Sequence, residues 1–261
     1  MENIVFEKYF AGQLSNQAHK ALWDMVKNEY PDRLYTETIR KRVKGELANV
    51  CIDNYYVARE GEKCICRLWT GWGKHKDAIG NFGHFLTLPE YRGKGIGGEV
   101  LKLWARDIFS RSQLPLGLFC TATASVTEIY RPYGFREIAS DRQGGYLYCP
   151  LGNSPQTFEE LCANYYNPSE FLIHKPASME FRHEVDCLLR FALSLQGDDD
   201  FRAGEYNSLE ELINHNPNGV GMLFSEDGHC VGFTYNDEVV KIYPIYKNAK
   251  IIDAVATKIK N

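Results

Sequence analysis

Residues 92–98 combine basic side chains with glycines in a pattern that suits phosphate binding. They read Arg-Gly-Lys-Gly-Ile-Gly-Gly and stand between an apolar run that ends at Leu88 and an amphipathic stretch. A strand, a glycine loop and a helix in that order leave backbone N–H groups free at the positive end of the helix dipole. Such an end binds phosphate, and glycines let the backbone approach the anion closely. The sequence therefore predicts a site for a phosphate-bearing cofactor.

Two common nucleotide-binding motifs fit this segment less well. Residues 93–98 match the dinucleotide pattern G-x-G-x-x-G, but there the glycines directly follow the strand, whereas residues 89–92 intervene here. The next strand candidate, residues 116–122, is not followed by the acidic residue that would hold a ribose hydroxyl. A P-loop needs Ser or Thr after Gly-Lys, and no hydroxyl residue closes this loop, where Ile96 follows Gly95. Both interpretations are therefore disfavoured by context.

Three ordered segments resemble the GNAT superfamily of N-acetyltransferases. Arg92-x-x-Gly95-x-Gly97 resembles the signature Q/R-x-x-G-x-G/A, and residues 89–95 resemble the usual lead-in to that loop. Downstream, residues 130–135 (Tyr-Arg-Pro-Tyr-Gly-Phe) resemble the segment Y-x-x-x-G-F. The resemblance covers about residues 1–150. It implies an α+β fold of the three-layer type, with a mixed, mostly antiparallel sheet flanked by helices.

The resemblance also implies a reaction and a cofactor. Members of the superfamily move an acetyl group from acetyl-CoA directly to a primary amine in a ternary complex. The loop amides hold the pyrophosphate, basic residues add charge, and the strand before the loop pairs with pantetheine and the thioester. The cofactor-binding residues expected here are Phe85, Leu86, Thr87, Leu88, Arg92, Gly93, Lys94, Gly95, Ile96, Gly97 and Gly98.

The same resemblance assigns a proton donor for the departing thiolate. Tyr130 occupies the position of the general acid in many members, and Tyr133, three residues on, is the competing candidate. A tyrosine, with an ordinary pKa near 10, is a reasonable acid toward a thiolate whose thiol has a pKa near 8.5.

The general base is not evident from the sequence. The positions that often carry it in the superfamily are Asn81 and Gly83 here, and neither is a base. His84, Glu90 and Asp77 are the candidates that stand nearby. Strand alternation points His84 to the opposite face unless the strand bulges. Deprotonation through ordered water, without a single base, is an equally acceptable hypothesis.

The hydrophobic pattern predicts the elements that position these residues. The predicted order over residues 1–150 is β-α-α-β-β-β-α-β-α-β-β, which is the GNAT order. The helix after the glycine loop has one apolar face, which predicts packing against a sheet. The residues of that face are Ile96, Val100, Leu101, Trp104 and Ile108.

Residues 151–261 read as a smaller α+β domain after a linker at about residues 150–157. The pattern predicts an amphipathic helix over 178–195, a helix opened by Ser208, a hairpin over 222–235, a strand at 239–243 and a last helix over 251–259. We expect this domain to shape an acceptor pocket. A contact in a homodimer and a degenerate GNAT-like half are the alternatives.

Composition limits the classes of function. The chain has 261 residues and a formal net charge of -4, which disfavours a nucleic-acid binder that works by bulk electrostatics. No apolar stretch approaches the roughly 18 residues of a membrane span, and the first residues do not resemble a signal peptide. Eight scattered cysteines indicate reduced thiols and a cytoplasmic protein. No ligand spacing predicts a metal site, and the three acids at 198–200 read as an exposed turn.

The sequence therefore predicts a cytoplasmic acetyl-CoA-dependent N-acetyltransferase. Its partner would be an amine-bearing small molecule or peptide, with neither nucleic acid nor membrane involved. The alternative is a non-catalytic acyl-CoA-binding sensor or interaction module, which the lack of an evident base keeps open.

Overall fold

The computed structural model describes residues 4–29, 34–140, 144–197 and 209–253, and within them it has twelve strands and seven α-helices. The described elements between residues 4 and 150, which we call the first unit, follow the predicted order one by one, so the predicted element order is confirmed. Its elements are β1 (Ile4–Phe10), α1 (Asn16–Glu29), α2 (Leu34–Lys44), β2 (Cys51–Glu60), β3 (Lys63–Gly73), β4 (Ile79–Thr87), α3 (Ile96–Ile108), β5 (Gly117–Thr123), α4 (Ala124–Tyr130), β6 (Arg136–Ser140) and β7 (Gly144–Pro150).

The first unit is a seven-stranded sheet between two layers of helices. The strand order is β1-β2-β3-β4-β5-β7-β6, and neighbouring strands are antiparallel except for the parallel pair β4 and β5. Alternation along β2 explains the layers, since Tyr56 packs on the α3 side and Tyr55 on the α1–α2 side. The predicted apolar face of α3 is buried against the sheet. The expected fold class, α+β with a mixed and mostly antiparallel sheet, is therefore confirmed.

The described elements between residues 158 and 253, which we call the second unit, include a five-stranded sheet in the order β11-β10-β9-β8-β12. None of the described helices is long and apolar enough to cross a bilayer. A π-helical segment, Glu184–Leu189, runs directly into α6, and we call residues 184–195 the covering helix. The elements of this unit are α5 (Phe158–Tyr165), β8 (Phe171–Pro176), α6 (Arg190–Leu195), α7 (Leu209–His215), β9 (Val220–Phe224), β10 (Cys230–Tyr235), β11 (Glu238–Ile242) and β12 (Lys250–Asp253).

Several expectations for this unit need correction. Residues 251–253 of the helix predicted over 251–259 belong instead to β12, because Ile251 and Ile252 pair with β8 in a parallel ladder. Residues 254–259 lie outside the described residues. The helix predicted over 178–195 starts as a 3-10 turn, Met179–Phe181, before the covering helix. The sequence interpretation also missed β8 and α5, although Thr157 and Glu160 form a capping box at the start of α5. Ser208 and residues 198–200 lie outside the described residues.

The second unit has the element order of the first half of the first unit. A strand, helices and three further strands follow one another in both, and β8-β9-β10-β11 form an antiparallel meander like β1-β2-β3-β4. The hairpin at 222–235 and the strand near 239–243 appear as predicted. This correspondence supports the degenerate-half hypothesis for residues 151–261.

Buried charges join the two units. The Nη2 of Arg182 lies 3.1 Å from the Oδ1 of Asp53, and its Nε lies 2.7 Å from the Oε1 of Glu210. Glu210 also pairs with Arg42, and the indole N–H of Trp69 donates to Asp53 at 2.9 Å. Arg182 is fully buried and links β2 of the first unit to α7 of the second. The covering helix also packs on the first sheet in a shared apolar core.

We predict that Arg182→Met strongly destabilises the protein. The substitution leaves the buried carboxylates of Asp53 and Glu210 without their shared cation, which costs about 3–5 kcal/mol in comparable cases. Urea unfolding of the full chain measures the change. The control is Arg131→Met, which removes an exposed pair with Glu128 and should change stability by about 1 kcal/mol or less. If both variants lowered the free energy of unfolding by the same small amount, Arg182 would not be the cation that stabilises the buried carboxylates.

Candidate functional site

The parallel pairing of β4 with β5 ends early. The strands pair at Ile79–Gly117, Gly80–Leu118 and Asn81–Phe119, and the ladder has no further pairs although β4 continues to Thr87 and β5 to Thr123. We call the opening between residues 82–87 and 120–123 the fork. Because strand backbones carry obligatory hydrogen-bonding groups, the inner edges of the fork can pair with an extended ligand.

A bulge accompanies the fork. The register of β3 against β4 shifts between Arg67, which faces Leu86, and Trp69, which faces Gly83. The backbone of His84 has a φ of +52°, a conformation that is uncommon for residues other than glycine. The extra residue reverses the alternation, so His84 lies on the same face of the sheet as Trp69, with ring centroids 5.3 Å apart.

The glycine loop follows β4 after a short turn. A 3-10 turn at Pro89–Tyr91 leads into it, and Gly93 and Gly95 have φ values of +73° and +78°, which favour glycine. A Cβ at either position would meet no atom within 4 Å, so the loop is open on that side. The amide of Glu99 makes the first helical bond to the Gly95 carbonyl, so the amides of residues 96–98 have no acceptor within α3.

Close packing holds the start of α3 against β4. A Cβ at Gly97 would lie 3.1 Å from the Cζ of Phe85 and 3.2 Å from the Oγ1 of Thr87. The Nε of Arg92 donates to the Thr87 carbonyl at 3.0 Å, and the Lys94 ammonium lies 5.0 Å from the Tyr91 ring. The structure therefore brings the predicted loop residues and the end of β4 together. An anion at the loop and an extended chain in the fork could belong to one ligand.

Tyr130 lies on the α3 side of the fork, at the end of α4. Its ring is 5.0 Å from that of Phe82, 5.7 Å from Phe135 and 6.1 Å from Phe85. Burial raises the pKa of the Tyr130 phenol above its ordinary value, so the group is protonated at neutral pH. Tyr133 packs against Trp104 on α3 at 6.0 Å.

Two of the three base candidates do not face the fork. Glu90 is exposed and pairs with Lys63 at 2.8 Å, and this hydrogen bond lowers the pKa of Glu90 and keeps it ionised. Asp77 precedes the paired end of β4 and lies 3.6 Å from the Lys76 ammonium. The third candidate, His84, does reach the fork because of the bulge.

A cavity of about 300 Å³ lies between the fork and the covering helix. The first unit supplies three strands to its wall, and the second unit supplies one turn of the covering helix. The lining residues are Trp69, Asn81, Phe82, Gly83, His84, Cys120, Thr121, Asp186, Cys187, Arg190 and Phe191.

The ionisable groups of this cavity have shifted pKa values. Burial, with Arg67 and Arg42 nearby, lowers the pKa of His84 well below its ordinary value, so the imidazole is neutral. Burial raises the pKa of the Cys120 and Cys187 thiols well above their usual range, so both are protonated. None of these three side chains therefore carries charge at neutral pH.

Asp186 is the residue that the sequence interpretation missed. Its Oδ1 accepts the Leu209 amide of α7 at 2.8 Å, and the side chain is partly accessible from the cavity. Burial first, and then the nearby Glu210 carboxylate, raise the pKa of Asp186 to about 7, against the opposing effects of the α7 amides and Arg190. The sequence did offer one signal. An acidic and a basic residue, Asp186 and Arg190, stand four positions apart beside the apolar face of the helix predicted over 178–195.

No protein-family model matches the chain, and no curated protein matches it in sequence. Solved structures similar to it include an acyl-CoA N-acyltransferase from Pseudomonas aeruginosa (14% identity, TM-score 0.43, 56% of this chain and 99% of that one). A GNAT-family acetyltransferase from Staphylococcus aureus has 15% identity, a TM-score of 0.40, and coverage of 57% and 100%. The NatC complex bound to Gag peptide and CoA has 15% identity, a TM-score of 0.42, and coverage of 57% and 99%.

Proposed function

We propose that this chain is a GNAT-type N-acetyltransferase that moves the acetyl group of acetyl-CoA to a primary amine of a small molecule or peptide. The observation that carries the proposal is the fork, which opens beside a helix whose first amides lack internal acceptors. A strand-like pantetheine chain would fit the fork, and a diphosphate would fit the loop. Eight free cysteines favour a reducing compartment such as the cytoplasm.

The cofactor would be held mainly by backbone. The amides of residues 96–98 and the charges of Arg92 and Lys94 would bind the pyrophosphate. The backbone of residues 85–88 would pair with pantetheine and with the thioester oxygen. One preorganised N–H aimed at the developing oxyanion can lower the barrier by about 3 kcal/mol.

The cavity favours direct transfer over a cysteine intermediate. Because burial keeps the thiols of Cys120 and Cys187 protonated, neither is an effective nucleophile toward the thioester. The amine nitrogen would therefore attack the carbonyl carbon itself, and the C–S bond would break. Tyr130, which is protonated, would supply a proton to the leaving thiolate.

A non-catalytic acyl-CoA sensor is the competing function. It is supported by Asn81 and Gly83, which stand where a base is often found and carry none. Thiol release from acetyl-CoA in the presence of a panel of amines separates the two hypotheses. Amine-dependent release supports the enzyme, whereas binding without release supports the sensor.

We predict that Gly95→Ala weakens acetyl-CoA binding at least tenfold. The substitution strains the loop backbone and misplaces the amides, and a hydrogen bond to a charged group contributes about 1.5–3 kcal/mol. Calorimetry with acetyl-CoA measures the affinity. The matched control is Gly61→Ala at the β2–β3 turn, which also has a positive φ and open space around a new Cβ. Equal affinities of the two variants would contradict the assignment of the loop.

We predict that Tyr130→Phe lowers kcat by about 100-fold or more and leaves acetyl-CoA affinity nearly unchanged, since general acids contribute about 10²–10⁴-fold. Steady-state thiol release and calorimetry measure the two quantities. Tyr133→Phe is the control, and its turnover should match the wild type. If Tyr133→Phe alone loses turnover, the acid is Tyr133.

A further inference from the structure

We infer that the second unit completes the acceptor site, and that Asp186 accepts the proton from the ammonium group of a small acceptor amine. This inference rests on the proposed acetyltransferase function. It assigns a catalytic residue to the unit that lies outside the GNAT resemblance. It also narrows the acceptor to amines that fit beneath the covering helix.

The position of the cavity places Asp186 beside the site where an amine would meet the thioester. The cavity begins where β4 and β5 part, because residues 81–84 and Cys120 and Thr121 line it. A thioester held in the fork would therefore border this space. Asp186 forms part of the wall contributed by the covering helix, so an amine between the fork and that helix would have the carboxyl group beside it.

The size of the cavity limits the acceptor to small amines. Its volume of about 300 Å³ corresponds to about ten water molecules and lies at the lower end of small-molecule sites. The covering helix packs on Ile79 and Phe119 in a shared apolar core, so this wall is part of the folded structure. Such a space suits a small amine and does not suit a folded protein substrate.

Proton affinity distinguishes Asp186 from His84. A base is most effective when its pKa lies near the working pH, and burial raises the pKa of Asp186 to about 7. The pKa of His84 is held well below its ordinary value, so this imidazole is a much weaker proton acceptor. Among the described residues, Glu210 on α7 and Arg190 on the covering helix act on the carboxyl electrostatically. Cys187 on the covering helix, His84 on β4 and Cys120 on β5 line the same cavity, and Arg67 on β3 donates to the His84 carbonyl.

Every proton in the proposed reaction has a donor and an acceptor. One ammonium proton passes to the Asp186 carboxylate, and the freed lone pair forms the C–N bond to the thioester carbon. The C–S bond then breaks, and the thiolate takes a proton from Tyr130. The second proton, released from nitrogen as the intermediate collapses, restores the Tyr130 phenol, and Asp186 returns its proton to water.

Asp186 also caps α7, and the test must separate this role from proton transfer. Asn accepts a backbone N–H as well as Asp does, so Asp186→Asn keeps the cap and removes the base. Asp237→Asn is the matched control, because Asp237 is exposed in a turn of the same unit. Each full-length variant is assayed for acetyl-CoA affinity and for kcat/KM between pH 6 and pH 10.

The expected result is a pH-dependent loss. With aliphatic amines at pH 7, Asp186→Asn should lose about 100-fold in kcat/KM, and the loss should shrink toward pH 10, where the free amine is abundant. With hydroxylamine, which is largely uncharged at pH 7, the same variant should retain near wild-type rates. The kcat/KM of the wild type should fall at acid pH with an apparent pKa of about 7, which we call the acid limb. Asp237→Asn should show the same acid limb.

Four outcomes would overturn the inference. If the wild type is active but its kcat/KM shows no acid limb, Asp186 is not the base. This result needs only the wild type, so it holds even if a variant fails to fold. Equal losses with aliphatic amines and hydroxylamine, seen also in Asp186→Ser, would show a structural role. Unchanged rates in Asp186→Asn would overturn the inference alone, whereas a wild type that binds acetyl-CoA and acetylates no amine would overturn the proposed function as well.

Discussion

The early end of the β4–β5 ladder creates the groove around which the candidate site is built. Two strands that remained paired to Thr87 would satisfy each other's backbone groups and leave no groove. The bulge at His84 changes the direction of β4 at the point of separation, and Gly97 lets α3 approach the far end of the same strand. A groove edged by backbone and a helix end whose first amides have no acceptor within the helix therefore meet in one place.

The second unit gives this groove a boundary that the first unit alone does not supply. Its covering helix closes one side of the cavity, and the Arg182 network holds the two units together through buried charges. Buried ion pairs are weak sources of net stability but are costly to break, so they favour one fixed arrangement of the two units. Such rigidity suits the proposed site, in which groups from both units line one cavity.

Sequence patterns were sufficient for the parts of the protein that depend on local regularity. The glycine loop, the apolar face of α3 and the element order of residues 1–150 were all readable, because spacing alone encodes them. The face of the sheet on which His84 lies could not be predicted, because the alternation of side chains along a strand does not reveal a bulge. The chemistry of Asp186 was not readable either, because its pKa depends on Glu210 and on burial that only the tertiary fold creates. The strand β12 was mistaken for a helix because its partner, β8, lies about 80 residues earlier in the chain.

Hydrogen–deuterium exchange of the full chain, measured with and without CoA, tests whether the fork and the glycine loop hold the cofactor together. If the fork and the glycine loop hold the cofactor, CoA should slow exchange at the amides of residues 83–87 and 96–98 together. Exchange in the β9–β10 hairpin should stay the same. Unchanged exchange in both segments at saturating CoA, or protection confined to the second unit, would contradict the account.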